Sequence, residues 1–417
     1  MTDKIVVEGG RRLSGSIELQ GAKNSVLPIL AATILGDSPS VLHNCPRLTD
    51  VDAAVEILEN FGCGVTQREN IIEIDPENMS RMEIPFCLMR KMRSSVIFLG
   101  AVLSRMKKAV LSSPGGCELG PRPIDLHIEA LRKLGATITE DFGFFQCTAD
   151  KIRGCQINLS MPSVGATENI MLAAAKSQGI TTIINAAKEP EIEDLQSFLN
   201  KMGAKIFGAG TAVITIEGVE KLSGAEHTII PDRIAGATYL CCAAITGGEI
   251  ELTHANVNHL HSIISLLEET GCYVKTENNT IYLDQKGIIS PIKTVQTMPY
   301  PGFPTDAQAI LMAYLTLASG ISVFIENIFE SRFKHVGELC RMGADIRIID
   351  RTAIVYGTKK LKGTQVQCPD LRGGAALLVA ALAAEGVTEI TEISHIARGY
   401  ENVTQNLAKL GAKIQRM

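Results

Sequence analysis

The chain has 417 residues, 46% hydrophobic and 20% charged, which supplies apolar material for two or three globular cores and argues against disorder. Its formal net charge is −5, so the global attraction that carries nucleic-acid or anionic-membrane binding is absent and any anion site must be local. Eleven cysteines without any Cys-x-x-Cys spacing point to a reducing cytosol, with most thiols serving as small buried hydrophobes.

The first ten residues lack the basic start and long apolar run of a signal peptide. The alanine-rich stretch 375–384 is too short to span a bilayer, so a cytoplasmic protein is expected. Residues 5–19 alternate in the manner of paired strands and match the run 354–366 near the other end of the chain. Apolar all round, the segments 26–35, 170–175, 240–244, 310–317 and 375–384 read as helices that must be buried.

After each comes an amphipathic helix that ends in one recurring phrase, an apolar helix end followed by Gly and then Ala or Cys. Its glycines are Gly62, Gly135, Gly203, Gly271, Gly343 and Gly411, spaced by 73, 68, 68, 72 and 68 residues. Glycine suits the left-handed position just past a helix. Each unit then reads as strand, buried helix, strand, outer helix and paired strands, in an α/β protein built from six α+β units of about 70 residues. The sixth unit stops before its strand pair, and residues 5–19 supply one. Two lobes are therefore expected: residues 21–228 (units one to three), and residues 1–20 with 229–417 (units four to six). Two chain crossings between lobes favour hinge closure on a ligand.

The residues that break the repeat carry the chemistry. At the starts of the buried helices stand Lys23-Asn24, Arg93, Ser163-Val164-Gly165, Asp232-Arg233, Thr305-Asp306 and Asp370-Leu371-Arg372. Arg122, Arg332 and Arg398 add to these. A helix start prefers Ser, Thr, Asp or Asn, and a cation there opposes the dipole, so repeated violation suggests bound anions. The alternative is structural ion pairing with Asp232, Asp306, Asp370, Glu330 or Glu401. The least repetitive run, residues 112–126, places three glycines and three prolines around Cys117 and Arg122 and reads as a surface loop. An exposed cysteine beside arginine is expected to be reactive, although an unpaired cysteine is as readily inert filling. His254, His259 and His261 fit no zinc spacing, and neither a P-loop nor a dinucleotide fingerprint occurs, so no metal site is expected.

Over its whole length, and in motif order, the sequence resembles the UDP-N-acetylglucosamine enolpyruvyl transferases. The runs that carry the resemblance are Gly21-Ala22-Lys23-Asn24-Ser25, residues 115–127, Ser163-Val164-Gly165-Ala166-Thr167, residues 301–306, Glu330-Ser331-Arg332-Phe333 and Asp370-Leu371-Arg372-Gly373-Gly374. The resemblance implies a two-domain inside-out α/β barrel. It also implies transfer of the enolpyruvyl group of phosphoenolpyruvate to the sugar 3-hydroxyl through a tetrahedral ketal, with loss of phosphate.

By the same resemblance, Lys23, Arg122 and Arg398 bind phosphoenolpyruvate, with Arg372 in support. Cys117 is the general acid and can form a covalent adduct on a loop that closes as a lid. Asp306 is the base, and Asn24 orients the reacting oxygen. Arg93, the loop Arg122, Pro123, Ile124, Asp125 and Leu126, then Ser163, Val164, Gly165 and the backbone of Ile328 hold the nucleotide sugar. Relatives often carry lysine two residues before the Ser-Val-Gly run, where this chain has Met161. No metal or organic cofactor, nucleic acid or membrane is implied. Two rival readings are a shikimate-phosphate enolpyruvyl transferase and a non-catalytic nucleotide-sugar-binding paralogue.

Overall fold

Long runs of Leu, Ile, Val and Ala without charge can be helical only if neighbours cover every side, and among the described residues six inner helices meet that condition. They are α1 (Lys23–Thr33), α2 (Phe98–Met106), α3 (Val164–Ala174), α4 (Arg233–Ile245), α5 (Thr305–Leu315) and α6 (Leu371–Ala383). The structure, a computed structural model, describes residues 3–112 and 124–417, leaving out the side chain of Arg93. The second inner helix differs from the expectation of a helix starting at Arg93. Arg93–Ile97 forms a 3-10 turn in which Ser95 donates to the Met92 carbonyl, and α-helical geometry begins only at Phe98.

Among the described residues the strands form six four-stranded sheets, each with one parallel pair followed by two antiparallel pairings. In one sheet Thr294–Gln296 runs parallel to Ile321–Ile325, which pairs antiparallel with Thr352–Tyr356, itself in a hairpin with Asp345–Ile349. In another, Ile5–Glu8 lies between Val387–Thr391 and Lys413–Arg416, with Ile5 opposite both Ile390 and Arg416. The strand pattern exposes one face and buries the other, as the alternating burial of Ile250 and Leu252 in Glu249–Thr253 illustrates.

Two compact units divide the described chain, one holding residues 3–20 and 231–417, the other residues 21–112 and 124–230. Each has its own apolar core. In the first unit α4, α5 and α6 pack on one another, and Tyr239, Tyr314 and Phe324 are its largest fully buried side chains. In the second, α2 packs on α1 and α3, and Phe61, Phe98 and Phe198 fill the space between helices and sheets. The six recurring glycines all lie at φ between 96° and 105°, the left-handed region that ends a helix without a Cβ penalty.

Gly373 and Gly374 in the first turn of α6 serve close approach. A Cβ on Gly374 would fall 2.2 Å from Cys368 Sγ and 2.8 Å from Ile396 Cγ1, both buried. Helix propensity favours alanine by about 1 kcal/mol, but overpacking of this kind costs about 1–3 kcal/mol. Gly374→Ala should therefore lower the denaturation midpoint. Gly337→Ala, in the exposed helix Val336–Arg341 with nothing within 4 Å of the added carbon, should leave it unchanged or raise it. Equal shifts in the two variants would contradict this packing argument.

Candidate functional site

The run Gly21-Ala22-Lys23 enters α1 under tight constraint. A Cβ on Gly21 would overlap the Asn44 carbonyl at 1.8 Å, and the Ala22 N–H donates to the Ile230 carbonyl at 2.7 Å. Ala22, as N-cap, offers no side-chain acceptor to the helix start. Lys23, a cation where the dipole disfavours one, is 8% exposed, and its Nζ lies 2.7 Å from the Asp50 carboxylate, itself 1% exposed. Pairing is what makes burial of either charge tolerable. Behind it, Ser25 donates to the Asp194 carboxylate, which also accepts from the Ile230 N–H at 3.3 Å and meets His227 Nε2 at 2.8 Å. Asn24, between these anchored residues, is half-buried.

Ser163 N-caps α3, its hydroxyl accepting from the Ala166 N–H at 3.3 Å, so Val164 and Gly165 form a half-buried first turn. Against this turn packs His127, from the helix Asp125–Lys133. A Cβ on Gly165 would sit 2.9 Å from its Cε1. Asn169 holds the imidazole, donating through Nδ2 to His127 Nδ1 (2.8 Å) and to the Val96 carbonyl (3.0 Å) and accepting from the Gly100 N–H (2.7 Å). With Nδ1 accepting, the proton of the neutral ring sits on Nε2. Burial pushes the His127 pKa down to about 4, against a small opposing pull from Asp125. Farther along α3, burial and the nearby Glu191 and Glu189 push the Glu168 carboxyl pKa well above the usual range.

In the other unit, Asp306 lies in the first turn of α5, after Pro304 as N-cap. Oδ1 accepts from Arg332 Nη2 at 2.9 Å and Oδ2 from Arg372 Nη2 at 3.0 Å. Both arginines are 3% exposed. The expected alternative of structural ion pairing is thus realised for Arg332 and Arg372, and a hydroxyl approaching Asp306 competes for the remaining lone pairs. Arg332 also donates to the Thr305 carbonyl through Nε and Nη2. Arg372 donates to the Tyr400 hydroxyl at 3.2 Å and stacks over that ring at 5.5 Å. Burial opposes the charge on Arg372, but Asp306, Tyr400 and Asp232 outweigh it and raise its pKa. Asp370 N-caps α6 by accepting from the Arg372 and Gly373 N–H groups.

Glu326, 1% exposed, pins the turn beside this cluster. It accepts from Thr297, Thr305 and the N–H groups of Ile328 and Phe329 at 2.9–3.0 Å. The Ile328 N–H is therefore occupied by Glu326. Arg398, half-buried, closes the 3-10 turn Ile393–Arg398.

Of the residues expected from sequence, Lys23 and Asn24 stand together at α1, Ser163, Val164 and Gly165 at α3, and Asp306 with Arg372 at the paired starts of α5 and α6. Ile124, Asp125 and Leu126 begin the helix that carries His127. Cys117, Arg122 and Pro123 lie outside the described residues, as does the Arg93 side chain. Sequence reading did not single out Asp50, Asp194, Asn169 or Glu326 as supports, because each acts through at least one partner brought to it only by folding. His127 stood inside a family motif, and its place beside Asp125 was the available signal.

The depressed His127 pKa fixes a pH dependence. Between its ordinary value of 6.5 and about 4 the unfolded chain binds a proton that the folded chain does not, so stability falls as pH drops through that window. The contribution at stake is about 2–4 kcal/mol. Denaturation midpoints measured from pH 7 to 4 should fall less steeply for His127→Gln than for the parent; parallel curves would contradict the assignment.

Residues 7–407 match the sequence profile of the family described as EPSP synthase (3-phosphoshikimate 1-carboxyvinyltransferase). The chain is 52% identical, over 99% of both chains, to UDP-N-acetylglucosamine 1-carboxyvinyltransferase 2 of Caldanaerobacter subterraneus subsp. tengcongensis. It is 48% identical, over 100% of both, to UDP-N-acetylglucosamine 1-carboxyvinyltransferase 1 of the same organism. Among solved structures it is similar to the enolpyruvyl transferase NikO from Streptomyces tendae, with a TM-score of 0.91 and 26% identity over 100% of this chain and 99% of that one. A motif order kept from Lys23 to Arg398, a matching fold and identity near one half over full length lead to one conclusion: the chain belongs to the EPSP synthase family and, within it, to the UDP-N-acetylglucosamine 1-carboxyvinyltransferases.

Proposed function

We propose that this protein transfers the enolpyruvyl group of phosphoenolpyruvate to the 3-hydroxyl of UDP-N-acetylglucosamine and releases phosphate, the first committed step of peptidoglycan precursor synthesis, in the cytoplasm. The observation that carries this reading is 52% identity along the whole chain to a relative named for that reaction. The family profile is named for a phosphoshikimate acceptor, so acceptor identity is the point to test.

In this reading Lys23, Arg122 and Arg398 hold the phosphate and carboxylate of phosphoenolpyruvate, and Arg372 adds positive potential. Bidentate arginine suits both groups. Addition forms a bond between the sugar O3 and C2 of phosphoenolpyruvate. Asp306 accepts the hydroxyl proton while Cys117 delivers a proton to the methylene carbon, giving a tetrahedral ketal. Elimination then breaks the C2–O bond, phosphate leaves with that electron pair, and the Cys117 thiolate takes a proton back from the methyl carbon, leaving the enolpyruvyl ether.

Asn24, between the anchored Lys23 and Ser25, orients the reacting oxygen. Ser163, Val164 and Gly165 at the start of α3, with Arg93 and residues 122–126, take the nucleotide sugar, and the Ile328 carbonyl receives a donor from it. Exposed Met161 stands where relatives often have lysine, so the diphosphate draws more on helix-start N–H groups and arginine. We further propose that six units of about 70 residues form two lobes, 21–228 and 1–20 with 229–417, in an inside-out α/β barrel that closes on its substrates.

Phosphate release from phosphoenolpyruvate should require UDP-N-acetylglucosamine and should not occur with shikimate 3-phosphate; the reverse preference would sink the acceptor assignment. In the same assay Cys117→Ala should lose nearly all turnover. Asp306→Asn keeps the shape of the carboxylate but not its proton affinity, and should lower kcat by about 10²–10⁴-fold. A kcat within a few-fold of the parent would remove Asp306 from the chemistry.

A further inference from the structure

After Arg398 the chain crosses residues 399–402 before the helix Val403–Lys409, and several backbone groups of this crossing are partnered in an unusual way. The N–H groups of Gly399 and Tyr400 both donate to the Ile396 carbonyl at 3.1 Å. Asn406 Nδ2 donates to the Glu401 carbonyl at 3.2 Å. The two groups flanking Tyr400 go to a residue almost 380 positions earlier. Gln20 Nε2 donates to the Gly399 carbonyl at 3.1 Å, and Gln20 Oε1 accepts from the Glu401 N–H at 2.8 Å. Only this amide orientation satisfies both contacts.

The arm that delivers this amide is itself fixed. The Gln20 carbonyl accepts from the Asp232 N–H at 2.9 Å, and the Leu19 N–H donates to the Thr253 carbonyl at 3.1 Å. What the amide holds matters as well. Gly399 fits so closely that a Cβ there would lie 2.9 Å from both Leu371 methyl carbons. The buried Tyr400 hydroxyl meets Thr238 at 2.9 Å and receives Arg372 Nη1, and Arg372 in turn holds Asp306.

We propose that Gln20 is a positioning residue for the phosphoenolpyruvate end of the site: its amide straddles Tyr400 and fixes the backbone that carries Arg398. This rests on the reading that Arg398 binds phosphoenolpyruvate. The clasp needs a donor and an acceptor in one rigid plane at glutamine's reach. Glutamate has the size but cannot donate to the Gly399 carbonyl, and asparagine is one methylene short.

The test compares Gln20→Ala, Gln20→Glu and Arg398→Ala in the full chain, with KM for each substrate, kcat and the denaturation midpoint as readouts. Loss of two ordinary hydrogen bonds predicts that Gln20→Ala raises KM for phosphoenolpyruvate about tenfold. It should leave KM for UDP-N-acetylglucosamine within about twofold and the midpoint close to the parent. Gln20→Glu should be at least as impaired, because a carboxylate then faces a carbonyl oxygen. An unchanged phosphoenolpyruvate KM in Gln20→Ala overturns the proposal, and so does rescue by Gln20→Glu, which would reduce the residue to filling. A rise in both KM values with a lower midpoint would likewise make it structural. If Arg398→Ala loses phosphoenolpyruvate while Gln20→Ala does not, the role of Arg398 stands and this inference alone falls. If Arg398→Ala has no effect, both fall together.

Discussion

Each inner helix is enclosed by apolar neighbours along almost its whole length, and that enclosure decides where chemistry can be placed. A charge in the middle of α6, among Leu377, Leu378 and Val379, would have neither water nor a partner. At the helix starts the backbone turns outward, unpaired N–H groups need acceptors, and side chains can reach one another. Lys23, Asp306 and Arg372 all stand within the first two residues of an inner helix, and Ser163 and Asp370 cap the starts of α3 and α6.

The cost of setting cations at such positions is met by specific carboxylates. Asp50 answers Lys23 in one unit, and Asp306 answers two arginines in the other. Breaking a buried pair of this kind leaves an uncompensated charge, so each residue constrains its partner more tightly than a surface ion pair would. On the proposed reading Lys23 and Arg372 meet an anionic substrate while already paired with carboxylates, so binding there exchanges one counter-charge for another.

The apolar runs made the inner helices legible: residues 310–317 and 375–384 fall largely within α5 and α6. The apolar runs begin a turn late because the first turns are polar, but the polar starts expected at Thr305-Asp306 and Asp370-Leu371-Arg372 are where α5 and α6 begin. Arg93 was misread for a related reason, since the Ser94-Ser95 pair favours the 3-10 turn that precedes Phe98. The cationic helix starts were visible as violations of capping preference. Their partners were not, because Lys23 and Asp50, on consecutive helices, and Asp306 and Arg372, on helices farther apart, become neighbours only through packing. Gln20 carries no local signal at all, being a polar residue at the end of a strand.

The strand Ile5–Glu8 has a consequence for how the chain is made. It is enclosed between Val387–Thr391 and Lys413–Arg416, one strand from the last quarter of the sequence and one from its final residues. During synthesis this strand must therefore remain without its neighbours until residues 387–416 have followed. The unit formed by residues 21–230 has its own apolar core and can condense while later residues are still being added. The other unit waits for residues 387–416, and the short, charge-flanked character of the waiting strand limits its opportunity to pair with other nascent chains.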